Sequence, residues 1–305
     1  MIIARIIPHA GLGNQLFMYA AGLSASQRLN TELRLGAWDF ERLTTEDRPY
    51  QLNLFPNINE PCASFLEILR VGSGRALLDY ISRKQVKKFH VFSRLIRKLA
   101  NKFLISRAYY SPSWVSYDDD FLNIKDNNYI SGYFESEKIF IDIAELVRKK
   151  FTFAAQCFNP ELVSRVQSCN SVALHVRRTD KMKQLEHIDP NHNYIKYALT
   201  KIFTLTSNPE FFVFSDDINW CKENLSKIYP DARYNFIENQ TPAQDMALMT
   251  KCRHVIMGAS TFSWWGAWLN ENPEKIIIAP DVNLWYLNVK PDRKYLLPEC
   301  WIKIS

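Results

Sequence analysis

From Ser171 onward, short apolar runs alternate with helical segments, and this alternation limits the fold more than any other feature of the chain. Val172-Ala173-Leu174 reads as a buried strand within 171–176, and helical periodicity follows over 192–205. The next apolar run is Phe211-Phe212-Val213-Phe214. Ser215-Asp216-Asp217 ends it and caps a helix that runs through Ile228. A short strand at Tyr234–Ile237 leads to Thr241 as N-cap, Pro242 at the first helical position and a helix over 242–251. Val255-Ile256-Met257 and Lys275–Ala279 are the last two strands, with a helix entered through Gly258–Gly266 between them. Strands joined by helical crossovers are parallel, so the spacing predicts an α/β domain with a doubly wound parallel sheet.

Open parallel sheets place ligands beyond the carboxyl ends of their strands, and three strand ends here are polar. The first is His175-Val176-Arg177-Arg178-Thr179-Asp180, the second Ser215-Asp216-Asp217, and the third Gly258-Ala259-Ser260-Thr261-Phe262-Ser263. Two adjacent arginines bring two permanently charged forks that match phosphate geometry. Asp180 lies near enough in sequence to orient one fork and leave the other for a ligand. Ser260 and Thr261, at a helix start, suit phosphate oxygens. Taken singly, each feature has a plainer reading, a surface salt-bridge cluster or an ordinary N-cap. Taken together in one domain, they point to a nucleotide diphosphate.

The first half is less regular. Ile2–Ile7 reads as a strand entering a glycine-containing loop, Gly11-Leu12-Gly13-Asn14, and then a helix from Leu16 through Leu29. A helix start of this kind offers N–H groups to an anion, but the loop lacks the third glycine of a dinucleotide fingerprint and the lysine of a P-loop. Leu33–Leu35 is a second strand, and Trp38, Asp39 and Phe40 follow it where they would line a cleft. Residues 41–130 hold domain-specific helices, and a helix is predicted from about Glu137 to Lys150. Phe151–Cys169 reads as the passage between two domains, 1–165 and 166–305. Asp118-Asp119-Asp120 resembles an acidic metal-binding triplet, but no strand or second ligand cluster frames it, so it reads as a solvated turn.

The net charge of +6 is unevenly placed, because residues 83–107 hold nine Lys/Arg and no acid, with Phe89, Phe92, Leu95, Ile96, Leu99 and Phe103 interleaved at helical spacing. This basic helical insertion fits a solvated helix or a membrane-surface face better than a nucleic-acid face, since no nucleic-acid fold signature accompanies it. The opening strand is too short for a signal peptide, and no run of about 18 apolar residues occurs. Six cysteines without C-x-x-C spacing fit a reducing cytoplasm, with neither a disulfide framework nor structural zinc.

Four blocks carry a family resemblance: GLGNQLFMYAAGLSASQRL (11–29), VALHVRRTD (172–180), FSDDINWCKENL (214–225) and DMALMTKCRHVIMGASTFSWWGAWLN (245–270). In order and spacing they resemble the bacterial α-1,2-fucosyltransferases, which share core motifs with α-1,6- and protein O-fucosyltransferases. The resemblance implies a GT-B-like enzyme, two Rossmann-like domains facing each other across a cleft, with the acceptor on the 1–165 side. It also implies GDP-β-L-fucose as donor, inversion at the anomeric carbon, a terminal β-galactoside as acceptor, and no metal or other cofactor. By motif position, Arg177 and Arg178 would hold the diphosphate, with Asp180 and Asp216 beside them. His175 and Asp245 would approach guanine, Ser260, Thr261 and Phe262 would close over phosphate or base, and Gly13 and Asn14 would reach across from the first domain. A helix-borne carboxylate such as Asp245 is a natural acceptor for the N1–H and N2–H donors of guanine.

Two departures touch the acceptor side. Thr179-Asp180-Lys181 stands where the family usually has Gly-Asp-Tyr and looks more like the α-1,6 enzymes, and Ala10 replaces the usual glycine. Asp39, Glu186 and Asp189 are candidates for the general base. The acceptor implied is a lactose-like or lipid-linked galactoside, with peripheral contact at the inner membrane. The alternatives are another GDP-sugar transferase, α-1,6-type included, and a non-catalytic nucleotide-binding subunit.

Overall fold

The computed structural model describes residues 1–38, 40, 48–82, 108–110, 117–178, 190–285 and 295–305. The basic segment 83–107, Asp39, Thr179, Asp180, Lys181, Glu186 and Asp189 lie outside the described residues. The chain forms two compact units, each built on its own all-parallel sheet. The first unit draws on Met1–Thr152 together with Tyr295 and Leu296.

In the first unit β1 (Ile2–Arg5) is buried throughout and lies between β2 (Leu33–Gly36) and β4 (Asn128–Ser131), with β3 (Ala108–Tyr110) outside β4. Helix α1 (Leu12–Arg28) crosses from β1 to β2. It touches the sheet at Gly22, where an added Cβ would lie 2.5 Å from Ala4 Cβ and 3.0 Å from Leu33 Cδ1. The predicted glycine loop is shorter than expected: Gly11 is the N-cap, so Gly13 and Asn14 belong to the first turn of α1. Gln15 explains the early start. Its buried carboxamide donates to the Ala10 carbonyl (2.9 Å) and the Pro49 carbonyl (2.8 Å) and accepts from Gln51 N–H (2.9 Å), fixing the chain on both sides of the helix entry.

Helices α2 (Phe65–Val71) and α3 (Gly74–Ser82) follow, and Ile68, Val71 and Ala76 join Ile3, Trp38 and Tyr129 in one apolar cluster. The predicted helix over 137–150 is broken. It forms 3₁₀ turns at Glu137–Ile139 and Ile141–Ile143, and only then α4 (Ala144–Lys150). The β-branched Ile139, Ile141 and Ile143 and the non-helical Phe140 (φ −135°, ψ 9°) work against one continuous helix.

The second unit holds Phe153 onward and Leu297–Ser305. It begins with α5 (Pro160–Gln167), so the expected boundary at 165/166 would cut a helix that belongs whole to this unit. Its sheet centres on β5 (Ser171–Val176), buried at every residue. On one side lie β6 (Glu210–Ser215) and β7 (Arg233–Phe236), and on the other β8 (His254–Ile256), β9 (Ile277–Pro280) and β10 (Ile302–Ile304). Numbered from β5 as first, the order is 3-2-1-4-5-6, the doubly wound arrangement of dinucleotide-binding sheets. Val172, Leu174, Phe211, Val213, Ile256 and Ile278 form one core with residues of α6 (Pro190–Leu205) and α7 (Ile218–Ile228). Helices α8 (Pro242–Met249) and α9 (Thr261–Trp268) meet where an added Cβ on Gly266 would lie 3.1 Å from Met249 Cε. Trp264 packs on Trp265, Trp268 and Trp301 with ring centroids 5.0, 6.2 and 5.4 Å apart.

Candidate active site

Because every strand of the second sheet is parallel, all of them end at one edge, and each helix that follows a strand starts there. The strand order reverses direction between β5 and β8, and a sheet of this kind opens its ligand crevice at that point. The chain leaves β5 through Arg177 and Arg178 and leaves β8 through Met257-Gly258-Ala259-Ser260, while β6 ends beside β5 in Ser215-Asp216-Asp217.

The register pairing Val176 with Ser215 sets Arg177 and Arg178 against Asp216 and Asp217. Ser215 Oγ donates to the Val176 carbonyl (2.8 Å) and accepts from Asp217 N–H (3.0 Å). One Asp216 oxygen accepts the Arg178 backbone N–H at 2.9 Å, and the other pairs with Arg177 Nη1 at 3.2 Å. Asp217 caps α7 by accepting from Trp220 N–H (3.2 Å), and its second oxygen holds Arg178 Nε at 3.3 Å. The Arg178 guanidinium lies 3.7 Å from the centroid of the Trp220 ring. Arg178 is 7 % exposed, whereas the Arg177 side chain is 21 % exposed. Among the described residues, carboxylates from the neighbouring strand orient both forks, while Asp180, expected in that role, lies outside the described residues.

Across the switch point, Gly258 is required by close approach. A Cβ there would lie 2.9 Å from the His175 carbonyl, 3.0 Å from His175 Nδ1 and 3.4 Å from Arg177 N. Ser260 Oγ caps α9 by accepting from Phe262 N–H (3.3 Å), and the Phe262 ring lies 5.6 Å from the His175 ring. Thr261 is in the first turn of α9. From α6, the buried Tyr194 hydroxyl donates to the Met257 carbonyl at 2.7 Å and fixes the exit of β8. Burial holds the Tyr194 phenol well above its ordinary pKa.

Asp245 stands in the first turn of α8, behind a capping box formed by Thr241 and Gln244, at the sheet edge where the helices start. Its Oδ1 is buried without a hydrogen-bond partner, and burial raises the carboxyl pKa to about 7. A carboxylate in that state awaits N–H donors.

The structure thus joins His175, Arg177, Arg178, Asp216, Ser260 and Phe262 in one contact network and puts Asp245 at the same sheet edge. Gly13 and Asn14 belong to the other unit, in the first turn of α1. Asp118 is committed elsewhere, accepting from Tyr109 OH (2.8 Å) and from Asp120 N–H (3.0 Å) at a 3₁₀ turn. Sequence reasoning missed Trp220 and Tyr194. Trp220 follows Asp217 by one helical turn, which is the signal that could have placed it beside the arginines.

The chain is 28 % identical over 315 residues to an Escherichia coli protein named alpha-1,2-colitosyltransferase, covering 100 % of this chain and 99 % of that one. It is 26 % identical to an Escherichia coli O-antigen biosynthesis glycosyltransferase WbnK, over 96 % of this chain and 98 % of the other. A galactoside alpha-(1,2)-fucosyltransferase 2 from Oryctolagus cuniculus is 32 % identical over 143 residues, 44 % of this chain and 39 % of that one. Among solved structures, POFUT1 in complex with GDP-fucose shares the fold with a TM-score of 0.51 and 13 % identity, over 91 % of this chain and 97 % of that one. Residues 3–297 match the model of glycosyl transferase family 11, and the chain belongs to that family.

Proposed function

We propose that the chain transfers L-fucose from GDP-β-L-fucose to the 2-hydroxyl of a terminal β-galactoside, with inversion and without a metal. The observation that carries the donor assignment is Asp245, a buried carboxylate with an unmet acceptor oxygen at the same sheet edge as two oriented arginines. Guanine N1–H and N2–H are the donor pair that such a carboxylate accepts. The arginine forks and the first-turn amides of α9 face the diphosphate, with His175 and Phe262 closing over the base.

In the reaction the acceptor oxygen forms a bond to the anomeric carbon as the bond from that carbon to the β-phosphate oxygen breaks. Negative charge then grows on the phosphate oxygen, where fixed cations lower the barrier most. The hydroxyl proton leaves to a carboxylate base drawn from Asp39, Glu186 and Asp189. A GT-B-like pairing of the two units, acceptor on the first and donor on the second, is supported by each unit having its own parallel sheet. Gly13 and Asn14 would then complete the donor site. The biological acceptor we propose is a lipid-linked oligosaccharide of O-antigen assembly, reached from the cytoplasmic face with segment 83–107 against the inner membrane. Among the described residues no helix is long and apolar enough to cross a membrane.

One observation favours a second donor. One relative that matches over almost its full length is named a colitosyltransferase, and colitose is L-fucose without its 3-hydroxyl. Incubation with GDP-fucose or GDP-colitose, lactose and EDTA, followed by linkage analysis, separates the readings. An α-1,2-fucosyl product supports the first and a colitosyl product alone the second. Activity that vanishes in EDTA and returns with Mn²⁺ removes the metal-free mechanism.

A further inference from the structure

We infer that Trp220 is a positioning residue for catalysis, the shelf on which the Arg178 guanidinium is held flat toward the donor phosphates. This rests on the GDP-sugar reading of the site. Three contacts on Arg178 support it, two of them on the fork. Cζ lies over the Trp220 ring at 3.7 Å from its centroid, Asp217 holds Nε at 3.3 Å, and Asp216 holds the backbone N–H at 2.9 Å. An arginine has four rotatable side-chain torsions, so one hydrogen bond at Nε leaves the plane free to swing. A flat aromatic face restricts that freedom and, in a desolvated setting, holds the guanidinium by a cation–π contact, so the fork is already placed when charge grows on the phosphate.

The arrangement is also economical in chain terms. Asp217 uses one oxygen to cap α7 through the Trp220 N–H and the other to hold Arg178, so the helix start, the indole and the fork are set by one residue. Trp220 is half-buried and packs at the margin of the core that β5, β6 and α7 share, so the Tm of each variant is read beside its kinetics.

Trp220→Leu keeps an apolar side chain and removes the π face, while Trp220→Phe keeps a smaller one. The expected result is a fall of about tenfold in donor kcat/KM for the Leu variant, carried more by kcat than by KM. The acceptor KM should be unchanged, the Tm should fall only modestly in the Leu variant, and Phe should recover most of the activity. Arg178→Lys and the double variant complete a cycle. If Trp220 acts through Arg178, adding Trp220→Leu to Arg178→Lys costs no more than twofold further. Multiplying effects, or wild-type kinetics in Trp220→Leu, overturn the inference. So does a loss that follows Tm and is not recovered by Phe. ¹⁹F NMR of the 5-fluorotryptophan-labelled protein supplies an arm independent of donor. The Trp220 resonance, assigned from Trp220→Phe, should shift in Arg178→Lys, and a resonance that stays put refutes the stack. Failure of the wild-type protein to bind GDP by calorimetry would instead strike the donor reading.

Discussion

Replacing Asp245 by Asn should make the second unit more stable at alkaline pH while destroying the affinity for GDP proposed for it. Burial lifts the folded carboxyl from 3.8 to about 7, so between those values the unfolded chain releases a proton that the folded chain keeps. The unfolded state binds fewer protons there, and stability falls as pH rises through the window, levelling off above about 7. From pH 5 to pH 8 the folded group passes through about two pKa units of this range, worth roughly 2–3 kcal/mol at about 1.4 kcal/mol each. Asn has its own cost as a buried amide, but that cost does not vary with pH, so the change in ΔΔG between the two pH values isolates the ionisation. Thermal melts of both proteins without nucleotide at pH 5 and 8 read it directly, using the transition that GDP raises in the wild type. Bound guanine would supply two charge-assisted hydrogen bonds, each worth about 1.5–3 kcal/mol. Asp245→Asn should therefore weaken GDP at least about 10²-fold by calorimetry, and wild-type affinity should climb as pH rises from 5 to 7. Inosine diphosphate, lacking the 2-amino group, should bind the wild type more weakly than GDP. Equal GDP affinity in the two proteins, or parallel stability curves from pH 5 to 8, would refute the argument.

Gly258→Ala should cut GDP affinity by about tenfold or more with a modest change in Tm, because the new methyl must displace the His175 carbonyl or ring from 2.9–3.0 Å; calorimetry checks it. Gly22→Ala should destabilise the first unit by roughly 1–2 kcal/mol, overpacking against Ala4 outweighing the helix propensity gained; denaturant melts check it. His254 accepts the Ile276 N–H through Nδ1 at 3.0 Å, and burial, then Arg253, lower its pKa from 6.5. The unfolded chain therefore takes up the proton first, and stability present above 6.5 is lost as pH falls below it, a slope that His254→Gln should flatten in thermal melts from pH 7 to 5.

The parts of the fold legible in the sequence are those that apolar burial decides. Val172-Ala173-Leu174, Phe211–Phe214 and Val255–Met257 are short runs of β-capable residues between turn signals, and each is a strand at the predicted place. The caps were legible too, since Thr241, Asp217 and Ser260 act locally on amides two or three residues ahead. β10 was not, because three residues with Lys303 facing out carry no run to recognise, and only pairing with β9 makes them a strand. β3 and β4 escaped for the same reason, as three- and four-residue strands in a stretch full of turn signals. Within the site, sequence placed the arginines at a strand end but could not say what orients them. That depends on register, which brings residues of β6 beside residues of β5.

Register also explains why two cations can wait at a site built for an anion. Arg177 and Arg178 leave β5 side by side, and unpaired they would repel each other where α7 and α9 begin, ends already positive. Asp216 and Asp217 leave β6 at the matching level and offset that charge. They do so differently. Asp217 takes Nε of Arg178, whose guanidinium also faces the Trp220 ring, whereas Asp216 touches a terminal nitrogen of Arg177. A diphosphate arriving at Arg177 competes with Asp216 for the same fork, while one arriving at Arg178 meets a group whose orienting bond can stay intact. Transition-state charge is best met by the fork that need not reorganise, so turnover should be more sensitive to Arg178 and ground-state donor affinity to Arg177.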